Sequence, residues 1–443
     1  MEDYPESARQ SQAFSQHLET FTSPLLQWLD SQLDKRLVRT FFLTLQAILM
    51  LRHTKYGLLL SELGAYILNA DQAPAGTKRL SNLLRSPKWT YSLIEQFLWH
   101  QAQEHLDALV SGGKTALVIW DESVIEKPES SALEGLGPVR SSKAARLKRI
   151  KPGYFNPPGG PPVFVPGMQW ISLVVSSLEG VPALAAMRWW TNRGPLHSDK
   201  RTEEAKLLGQ CAQQWAEKVV HVWDRGFASA PWLGSALEQQ VRFILRWPSR
   251  LKLVDEKGYR NAWRITQGKR SQDHREIWDA RRGCWRKTGI VVVLVTHLQY
   301  DQPLWLVVSP PGKGRQPWYL LTNESITSLE EAWRIVFAYV RRWQIEMTYR
   351  YSKTELAMES PRLWCWERRL KLLFLATLAY AFLLSLLQLP SPQPLAWLLR
   401  HWCHRTGKRY RQFALPLYRL RSALSRLWLT YRPSPSFQYE NLG

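Results

Sequence analysis

The chain has 443 residues, 45% of them hydrophobic, which is enough for two or three domains around a large buried core. Its 59 lysines and arginines outnumber its 37 aspartates and glutamates, so the formal net charge is +22. A charge this positive favours a polyanionic partner, nucleic acid first and an anionic membrane surface second. The four widely separated cysteines form no C-x-x-C pair, which argues against a disulfide framework or a zinc site.

The first 110 residues are helical in pattern. Leucines and aromatic residues recur at spacings of three and four, as in LETFTSPLLQWLDSQL and RTFFLTLQAILMLRH. The stretch TKRLSNLLRSPKWT, residues 77–90, mixes basic and small polar residues, which fits either a DNA-contacting helix and turn or an ordinary solvated helix face. We therefore expect residues 1–110 to form a helical, DNA-binding domain.

Residues 111–247 change to an alternation of strands and helices. TALVIWD ends in Asp121 and VVHVWD ends in Asp224, with two strands joined by a tight turn at 178–180 and a helix near 199–217 between them. The polar, basic, Gly/Pro-rich stretch 126–163 predicts a long loop that faces DNA. We expect this part of the chain to be the first half of an α/β catalytic domain.

The rest of the chain divides into three further segments. Residues 248–320 alternate short β-type runs with charged turns, which predicts a small, mostly antiparallel insertion. Helical patterning resumes over 328–356 and continues to about 389, so residues 321–390 are expected to complete the catalytic domain. A Pro-rich break, LPSPQP, then separates a basic helical tail, residues 391–443.

One segment is apolar enough to raise the question of a membrane span. Residues 372–389 read LLFLATLAYAFLLSLLQL, close to the minimum length for crossing a bilayer. A helix that is apolar all round is equally expected at the centre of a large soluble core. We favour the core helix, and together with the polar N-terminal residues MEDYPESARQ this predicts a cytoplasmic protein with no membrane partner.

The two acids at strand ends are candidates for metal ligands. Neighbouring strands would bring Asp121 and Asp224 side by side, and two uncompensated carboxylates need either a metal ion or a proton. Mg²⁺ and Mn²⁺ prefer such oxygen ligands and accept phosphate as a further ligand. Taken singly, however, each Asp could equally be an ordinary cap or loop residue.

A polar stripe marks the helix predicted over 328–356. Tyr339, Arg342, Glu346 and Lys353 fall within an arc of about 60° at about 100° per residue. Glu346 could therefore be a third metal ligand, with Arg342 and Lys353 binding phosphates. The spacing alone is equally compatible with surface ion pairs between residues four apart.

These residues together resemble a known family. The pattern Y-x2-R-x3-E-x6-K, formed by the same four residues, is similar to the signature of DDE transposases of the insertion-sequence four group and of the related insertion-sequence seven-hundred-and-one group. WDRGFAS (223–229) and IWDESVIEKP (119–128) resemble the segments around the family's second and first aspartates. The resemblance covers roughly residues 115–390.

The resemblance implies an RNase H-like catalytic domain with a β-rich insertion before the helix that carries Glu346. It implies that Asp121, Asp224 and Glu346 are the catalytic triad and hold two Mg²⁺ ions, which Mn²⁺ may replace. Tyr339, Arg342 and Lys353 correspond to residues that contact phosphates at the transposon end.

Four further residues lie in or near the matching segments. Trp318 lies where some members of the family stack a tryptophan on a flipped base, although a strand core position is the alternative. Arg225, next to Asp224, is expected to contact DNA. Glu122 and Glu126 are expected to be solvated bystanders.

The activity that the resemblance implies is cut-and-paste transposition. Water attacks the phosphodiester at each element end, and the 3′-OH that is freed attacks the opposite strand or target DNA, always by in-line displacement. The expected partners are double-stranded DNA and a second copy of the chain in a homodimer that pairs the two ends. Two alternatives remain, namely an inactive DNA-binding descendant of a transposase and an RNase H-like nuclease without strand transfer.

Overall fold

The structure is a computed structural model that describes residues 3–130, 132–141, 163–279, 284–310, 316–403 and 417–434. It combines helices with one large mixed sheet, so the predicted α/β class is confirmed. Most of the stretch predicted to be a DNA-facing loop, residues 142–162, lies outside the described residues. Its described part contains a short strand and the residues around it.

The N-terminal region is helical, as its periodicity predicts. Asp34 begins the second helix by accepting a hydrogen bond from the backbone N–H of Leu37 at 3.1 Å, which satisfies one of the unpaired donors at a helix N-terminus. The apolar faces of these helices pack into a common core with later helices of the chain. The helices are α1 (Asp3–Gln32), α2 (Lys35–Met50), α3 (Leu60–Ile67), α4 (Ala73–Arg85) and α5 (Ser92–Ser111).

The sheet begins with strands that alternate with helices. The strands of this part are β1 (Ala116–Glu126), β2 (Gly137–Arg140), β3 (Phe164–Ser176), β4 (Ala183–Trp190), β5 (Val219–Trp223) and β6 (Arg242–Arg246). The helices between them are α6 (Lys200–Trp215) and α7 (Ala230–Glu238). The predicted hairpin between β3 and β4 turns at Gly180, whose φ of +83° suits glycine.

Strand direction places β1 at the centre of this part of the sheet. β1 pairs with β3 in antiparallel orientation and with β5 in parallel orientation, and β5 pairs with β6 in parallel orientation. A side-chain hydrogen bond also links β1 to β5, since the indole N–H of Trp120 donates to Nδ1 of His221 at 2.9 Å. Burial lowers the pKa of His221 to about 3, so this imidazole is neutral and acts as a fixed acceptor.

The region 248–320 is antiparallel, as its pattern predicts, but it is continuous with the main sheet. β12 pairs with β6, so the order runs β3–β1–β5–β6–β12–β11–β10–β7–β8, with β2 and β4 added to β3 and β9 to β10. The elements are β7 (Lys252–Asp255), β8 (Gly258–Asn261), α8 (Ala262–Thr266), β9 (Asp273–Asp279), β10 (Cys284–His297), β11 (Tyr300–Ser309) and β12 (Trp318–Thr322).

The last helices return to the sheet and to the N-terminal region. They are α9 (Leu329–Arg341), α10 (Trp343–Thr354), α11 (Trp366–Leu386), α12 (Gln393–Trp402) and α13 (Leu417–Thr430). Among the described residues, α11 is the one helix long and apolar enough to cross a membrane, and 94% of its most apolar window is buried inside the protein. It is the core helix that the sequence favoured.

Helix α13 closes the C-terminal ends of two distant helices. Arg421, whose side chain is buried, donates to the carbonyl of Leu51 at 2.7 Å and also to the carbonyls of Ile48 and Glu355. These carbonyls lie at the ends of α2 and α10, where no intrahelical donor follows. Part of the predicted basic tail is therefore built into the core instead of lying on the surface.

Candidate active site

Asp121 and Asp224 lie next to each other on neighbouring parallel strands. The register pairs Val118 with His221 and Ile119 with Val222, and its continuation brings the two acids side by side. Asp224 follows β5 and accepts a hydrogen bond from the backbone N–H of Gly226, which begins a single 3₁₀ turn. The prediction that the two acids are neighbours is thus met in the structure.

The position of Asp121 within its strand differs from the prediction. β1 does not end at Asp121 but continues to Glu126, paired with β3 throughout. Only the parallel pairing with β5 stops before Asp121. Asp121 therefore lies within a continuous strand, at the position where β5 ends and no longer pairs with β1.

Glu346 approaches the two aspartates from α10. The sequence predicted one helix through this region, but the helix is interrupted at Arg342, between α9 and α10. The N–H of Arg342 bonds to the carbonyl of Tyr339 at 3.1 Å and the N–H of Ile345 bonds to that of Arg342 at 3.2 Å, which are i to i−3 bonds. Such a tightened turn inside a helix often occurs at a functional site.

Arg342 lies between the carboxylates of two different elements. Its Nη1 is 3.7 Å from Oδ2 of Asp121, and its Nη2 donates to Oε1 of Glu346. Burial disfavours its charge, but Tyr339, Glu346 and Asp121 outweigh burial and raise the pKa of Arg342 above its usual value. The guanidinium is therefore a permanent cation at the centre of the site.

Asp121 is the carboxylate most affected by these surroundings. Burial and, to a smaller extent, the charges of Asp224 and Glu346 together raise its pKa to about 7, against the opposing effects of Arg342 and of a hydrogen bond from the N–H of Glu122. Asp224 and Glu346 are thus close enough to Asp121 to affect its ionisation. Arg342 alone therefore does not fully compensate the negative charge that these acids would carry around Asp121.

Tyr339 and Trp318 continue the site away from the acids. The Arg342 guanidinium lies 5.7 Å from the centre of the Tyr339 ring, and that ring meets Trp318 edge to face at 5.2 Å. The guanidinium of Arg286 from β10 lies 4.6 Å above the Trp318 ring. Two contacting aromatic rings, with a guanidinium at each end, therefore lead from the acids into the β-rich insertion.

This stacking bears on the predicted DNA contacts. Tyr339 is buried and Trp318 is half-buried with Arg286 over its ring, so neither ring is freely exposed in this structure. Lys353 donates from Nζ to Oγ of Ser123 at 2.7 Å, and Arg225 is exposed beside Asp224. The DNA contacts predicted for these four residues stay predictions.

The expectation that Glu122 and Glu126 are solvated bystanders is wrong. Glu126 is 2% exposed, and its Oε2 accepts from the hydroxyl of Ser141 at 2.8 Å. Glu122 is half-buried and accepts from Nζ of Lys200, which also lies 3.5 Å from the fully buried Glu204. β1 extends through both residues, whereas the sequence predicted a strand that ends at Asp121 and a loop from 126.

The Glu122 group is a feature that the sequence reading missed. Burial raises the pKa of Glu122 to about 7, and Lys200 opposes that shift. Nζ of Lys200 also lies 5.4 Å from the ring of Phe227, three residues after Asp224. The lysine is thus next to both aspartate segments, although it stands at the start of a helix with nothing in its local sequence to mark it.

Tyr349 is a second residue that the sequence reading missed. It lies one helical turn after Glu346 on α10, and its hydroxyl donates to the backbone carbonyl of Asp121. Its ring meets Trp170 edge to face at 4.7 Å. The Glu346 helix is therefore joined to the Asp121 strand at Asp121 itself.

The residue types at this site are those that bind divalent cations. Carboxylate oxygens from three elements are the donors that Mg²⁺ and Mn²⁺ prefer, and the raised pKa of Asp121 reflects, after burial, charges that a cation would compensate. Across the ranges that the structure describes, no three His, Cys, Asp or Glu side chains are grouped closely enough to hold a metal ion. The residue types therefore suit a divalent cation, but the three side chains are not gathered around one point in this structure, where Arg342 supplies the positive charge between Asp121 and Glu346.

Comparison with known proteins agrees with the resemblance. Residues 196–382 match the family model described as the transposase DDE domain, a range that includes Asp224 and Glu346 and begins after Asp121. The match confirms that the chain resembles DDE transposases, and the insertion-sequence four group remains a prediction. No curated protein matches the chain.

Among solved structures, the chain is similar to a piggyBac transposase in a synaptic complex with hairpin DNA. The two chains are 12% identical, the similarity covers 89% of this chain and 76% of the other, and the TM-score is 0.33. Such a TM-score is too low to match individual elements or residues between them.

Proposed function

We propose that this chain is a DNA transposase that binds terminal inverted repeats and performs cut-and-paste transposition with Asp121, Asp224 and Glu346 as its catalytic triad. The observation that carries the proposal is that the buried Arg342 contacts the carboxylates of Asp121 and Glu346, while the charge of Asp224 acts on Asp121 from the end of β5. The order β4–β3–β1–β5–β6, with an antiparallel hairpin beside parallel strands, supports the RNase H-like core that the resemblance implies.

In this proposal the three carboxylates hold two divalent ions, Mg²⁺ or Mn²⁺. When bound, such ions activate an attacking hydroxyl and stabilise the leaving oxygen of a phosphodiester. The role of Asp121, Asp224 and Glu346 is to present ionised oxygens from three rigid elements. Burial of Asp121 keeps bulk water away, which strengthens electrostatic interactions in the site.

Arg342 is the residue whose partner changes in this mechanism. Without DNA it neutralises Asp121 and Glu346, and a guanidinium binds a phosphate in the same two-pronged way that it binds a carboxylate. We propose that it moves to the scissile region of the DNA backbone when DNA enters. Lys353, which donates to Ser123, and Arg225, which is exposed beside Asp224, are proposed as further phosphate contacts, with Trp318 as a stacking contact for a base.

Two displacements at this site account for excision and insertion. In the first, the oxygen of water bonds to phosphorus, the bond from phosphorus to the 3′ oxygen breaks, and that oxygen leaves as a 3′-OH. In the second, the 3′-OH bonds to phosphorus in another strand and displaces that strand's own 3′ oxygen. Neither step needs a covalent bond between protein and DNA.

Pairing of two element ends also predicts the assembly and location of the protein. We propose a homodimer in the paired-end complex, since each end needs an active site. Because its substrate is DNA, we also propose that the protein is located at the nucleoid in the cytoplasm. A light-scattering mass with one chain per paired-end complex would contradict the dimer.

The experiment that tests the proposal is cleavage and joining of DNA that flanks the reading frame, with MgCl₂ and a target plasmid. Asp121→Ala, Asp224→Ala and Glu346→Ala should each reduce cleavage by at least about 10³-fold while binding of the same DNA persists. Glu238→Ala, at an exposed position at the end of α7, is the matched control and should cleave normally.

Three results would revise the proposal. Full cleavage by any triad variant would remove that residue from the site. Binding without cleavage by the unaltered protein would favour an inactive descendant. Cleavage without joined product would favour a nuclease.

A further inference from the structure

Helix α4 has one face that is exposed and basic. Lys78, Asn82 and Arg85 stand at positions i, i+4 and i+7, so they fall within an arc of about 60°, and Arg79 lies beside them. All four side chains are exposed, and we call them the basic face of α4. The opposite side of the helix is buried and consists of Gly76, Leu80, Leu83 and Leu84.

The charges of this face are not used within the described part of the chain. No ion pair or hydrogen bond there engages the side chains of Lys78, Arg79 or Arg85. The nearest acids in sequence, Asp71 and Glu95, belong to the turn before α4 and to the first turn of α5 and not to the basic face. A surface with three cations, an amide and no acid is complementary to a phosphate backbone.

The base of α4 is fixed against α3 at backbone contact. A Cβ atom on Gly76 would lie 2.2 Å from the carbonyl oxygen of Gly64, so no larger residue fits at that point. Five residues, 68–72, connect the two helices. A short helix, a five-residue connection and a second helix with a polar outer face follow the order of elements in a helix-turn-helix motif.

The far end of α4 is fixed to the core of the protein. The indole N–H of Trp89 donates to the carbonyl of Leu83 at 2.9 Å, and the buried Nζ of Lys371 donates to the carbonyl of Ser86 at 2.8 Å. Lys371 belongs to α11, the central helix of the core. The basic face is therefore presented on a rigid element and not on a loose arm.

We propose that α4 is the DNA recognition helix of this chain and that its basic face enters the major groove of duplex DNA. Lys78, Arg79 and Arg85 contact phosphates or guanine edges, and Asn82, between two of these cations, reads a base edge, since an Asn amide matches the donor and acceptor of adenine. The inference rests on the proposed function, because it names the surface that selects the DNA the triad cuts.

The test is binding of the full chain to two duplexes, measured by fluorescence anisotropy at several salt concentrations. One duplex carries the DNA that flanks the reading frame, and the other has the same composition in scrambled order. Lys78→Ala with Arg85→Ala should weaken binding to both duplexes at least about tenfold and reduce the slope of log K against log salt by roughly 1.8, about 0.9 per lost phosphate contact.

Asn82→Ala tests base reading separately from charge. It should reduce the preference for the flanking duplex by about fivefold to 150-fold while the salt slope stays unchanged. The matched control is Arg36→Ala with Arg39→Ala, which removes two exposed charges from α2 in the same helical region. Because all these side chains are exposed, melting temperatures should remain those of the unaltered chain.

Equal weakening by the α2 control and the α4 variant would overturn the proposal, since bulk charge would then suffice. So would an unchanged duplex preference in Asn82→Ala, or an RNA duplex that competes as well as the flanking DNA.

The triad variants distinguish failure of the recognition helix from failure of the catalytic triad. If they bind DNA but do not cut it while the α4 variants bind normally, only the recognition helix is wrong. If the α4 variants lose binding while triad variants still cut, only the triad is wrong.

Discussion

At the scale of single residues, Asp121 combines burial with two acidic neighbours. Its pKa of about 7 lies far above the usual 3.8, so the folded protein holds the proton more tightly than the unfolded chain does. A group of this kind stabilises the fold at low pH, and its contribution is lost as the pH rises through about 7. Above that pH the folded chain carries a charge that burial disfavours.

Asp121→Asn should therefore stabilise the protein in a pH-dependent way. At pH 8 the variant should be more stable than the unaltered chain by up to roughly 4 kcal/mol, since each pKa unit corresponds to about 1.4 kcal/mol. The difference should shrink as the pH falls towards 5. Melting temperatures measured from pH 5 to pH 8 without divalent cations check this, and a gap that is constant over this range would contradict it.

Tyr349 is a residue through which the two sides of the site are positioned. Burial raises the pKa of its hydroxyl well above the usual value, and the charge of Asp121 adds to the shift, so it remains a donor to the Asp121 carbonyl. Tyr349→Phe should reduce cleavage about tenfold to a hundredfold by loosening the Glu346 helix from the Asp121 strand. It should also weaken Mn²⁺ binding measured by titration calorimetry.

The matched control for this prediction lies two residues further along α10. Tyr351 is equally buried, but its hydroxyl points to the carbonyl of Leu417 at 3.4 Å, away from the acids. Tyr351→Phe should keep both cleavage and Mn²⁺ affinity, with a similar melting temperature. Equal effects of the two variants would mean that the Tyr349 hydroxyl is merely structural.

At the scale of elements, the sequence predicted most helices and strands because periodicity is a local property. The hairpin β3–β4, the helix α6 and the antiparallel insertion all follow from spacing and turn residues. The break at Arg342 could not be predicted in this way, because the stretch is helical in pattern and the carboxylates that hold Arg342 come from elsewhere in the chain. Glu126 was misjudged for the same reason, since its buried carboxylate accepts from Ser141, which lies 15 residues further along the chain.

The contacts of α13 lead to a prediction about stability. Arg421→Met leaves three buried carbonyls without their donor, and each such loss costs about 1–3 kcal/mol, so the total should be roughly 3 kcal/mol or more. Arg426→Met, at an exposed position on the same helix, should cost less than about 0.5 kcal/mol. Urea denaturation of both variants measures the difference, and equal midpoints would show that the three contacts contribute little.

At the scale of the whole molecule, composition predicted the class of partner but not the surface that meets it. The charge of +22 pointed to a polyanion, whereas the exposure of Lys78 and Arg85 and the burial of Arg421 became visible only in the folded chain. Continuity of the insertion with the central sheet also depends on one long-range pairing, β6 with β12. The triad stays a prediction that rests on the family motif, because the spacing of Glu346 is equally compatible with surface ion pairs.

The contacts of Arg421 also determine when the end of α2 can be completed during synthesis. The carbonyl of Ile48 and the guanidinium that satisfies it are 373 positions apart along the chain. At a synthesis rate of about 5–20 residues per second, the end of α2 waits on the order of 20–75 s for its donor to be made. The C-terminal end of α2 therefore lacks this donor during most of synthesis. The N-terminal helices can reach their final packing only after the residues of α13 have been made.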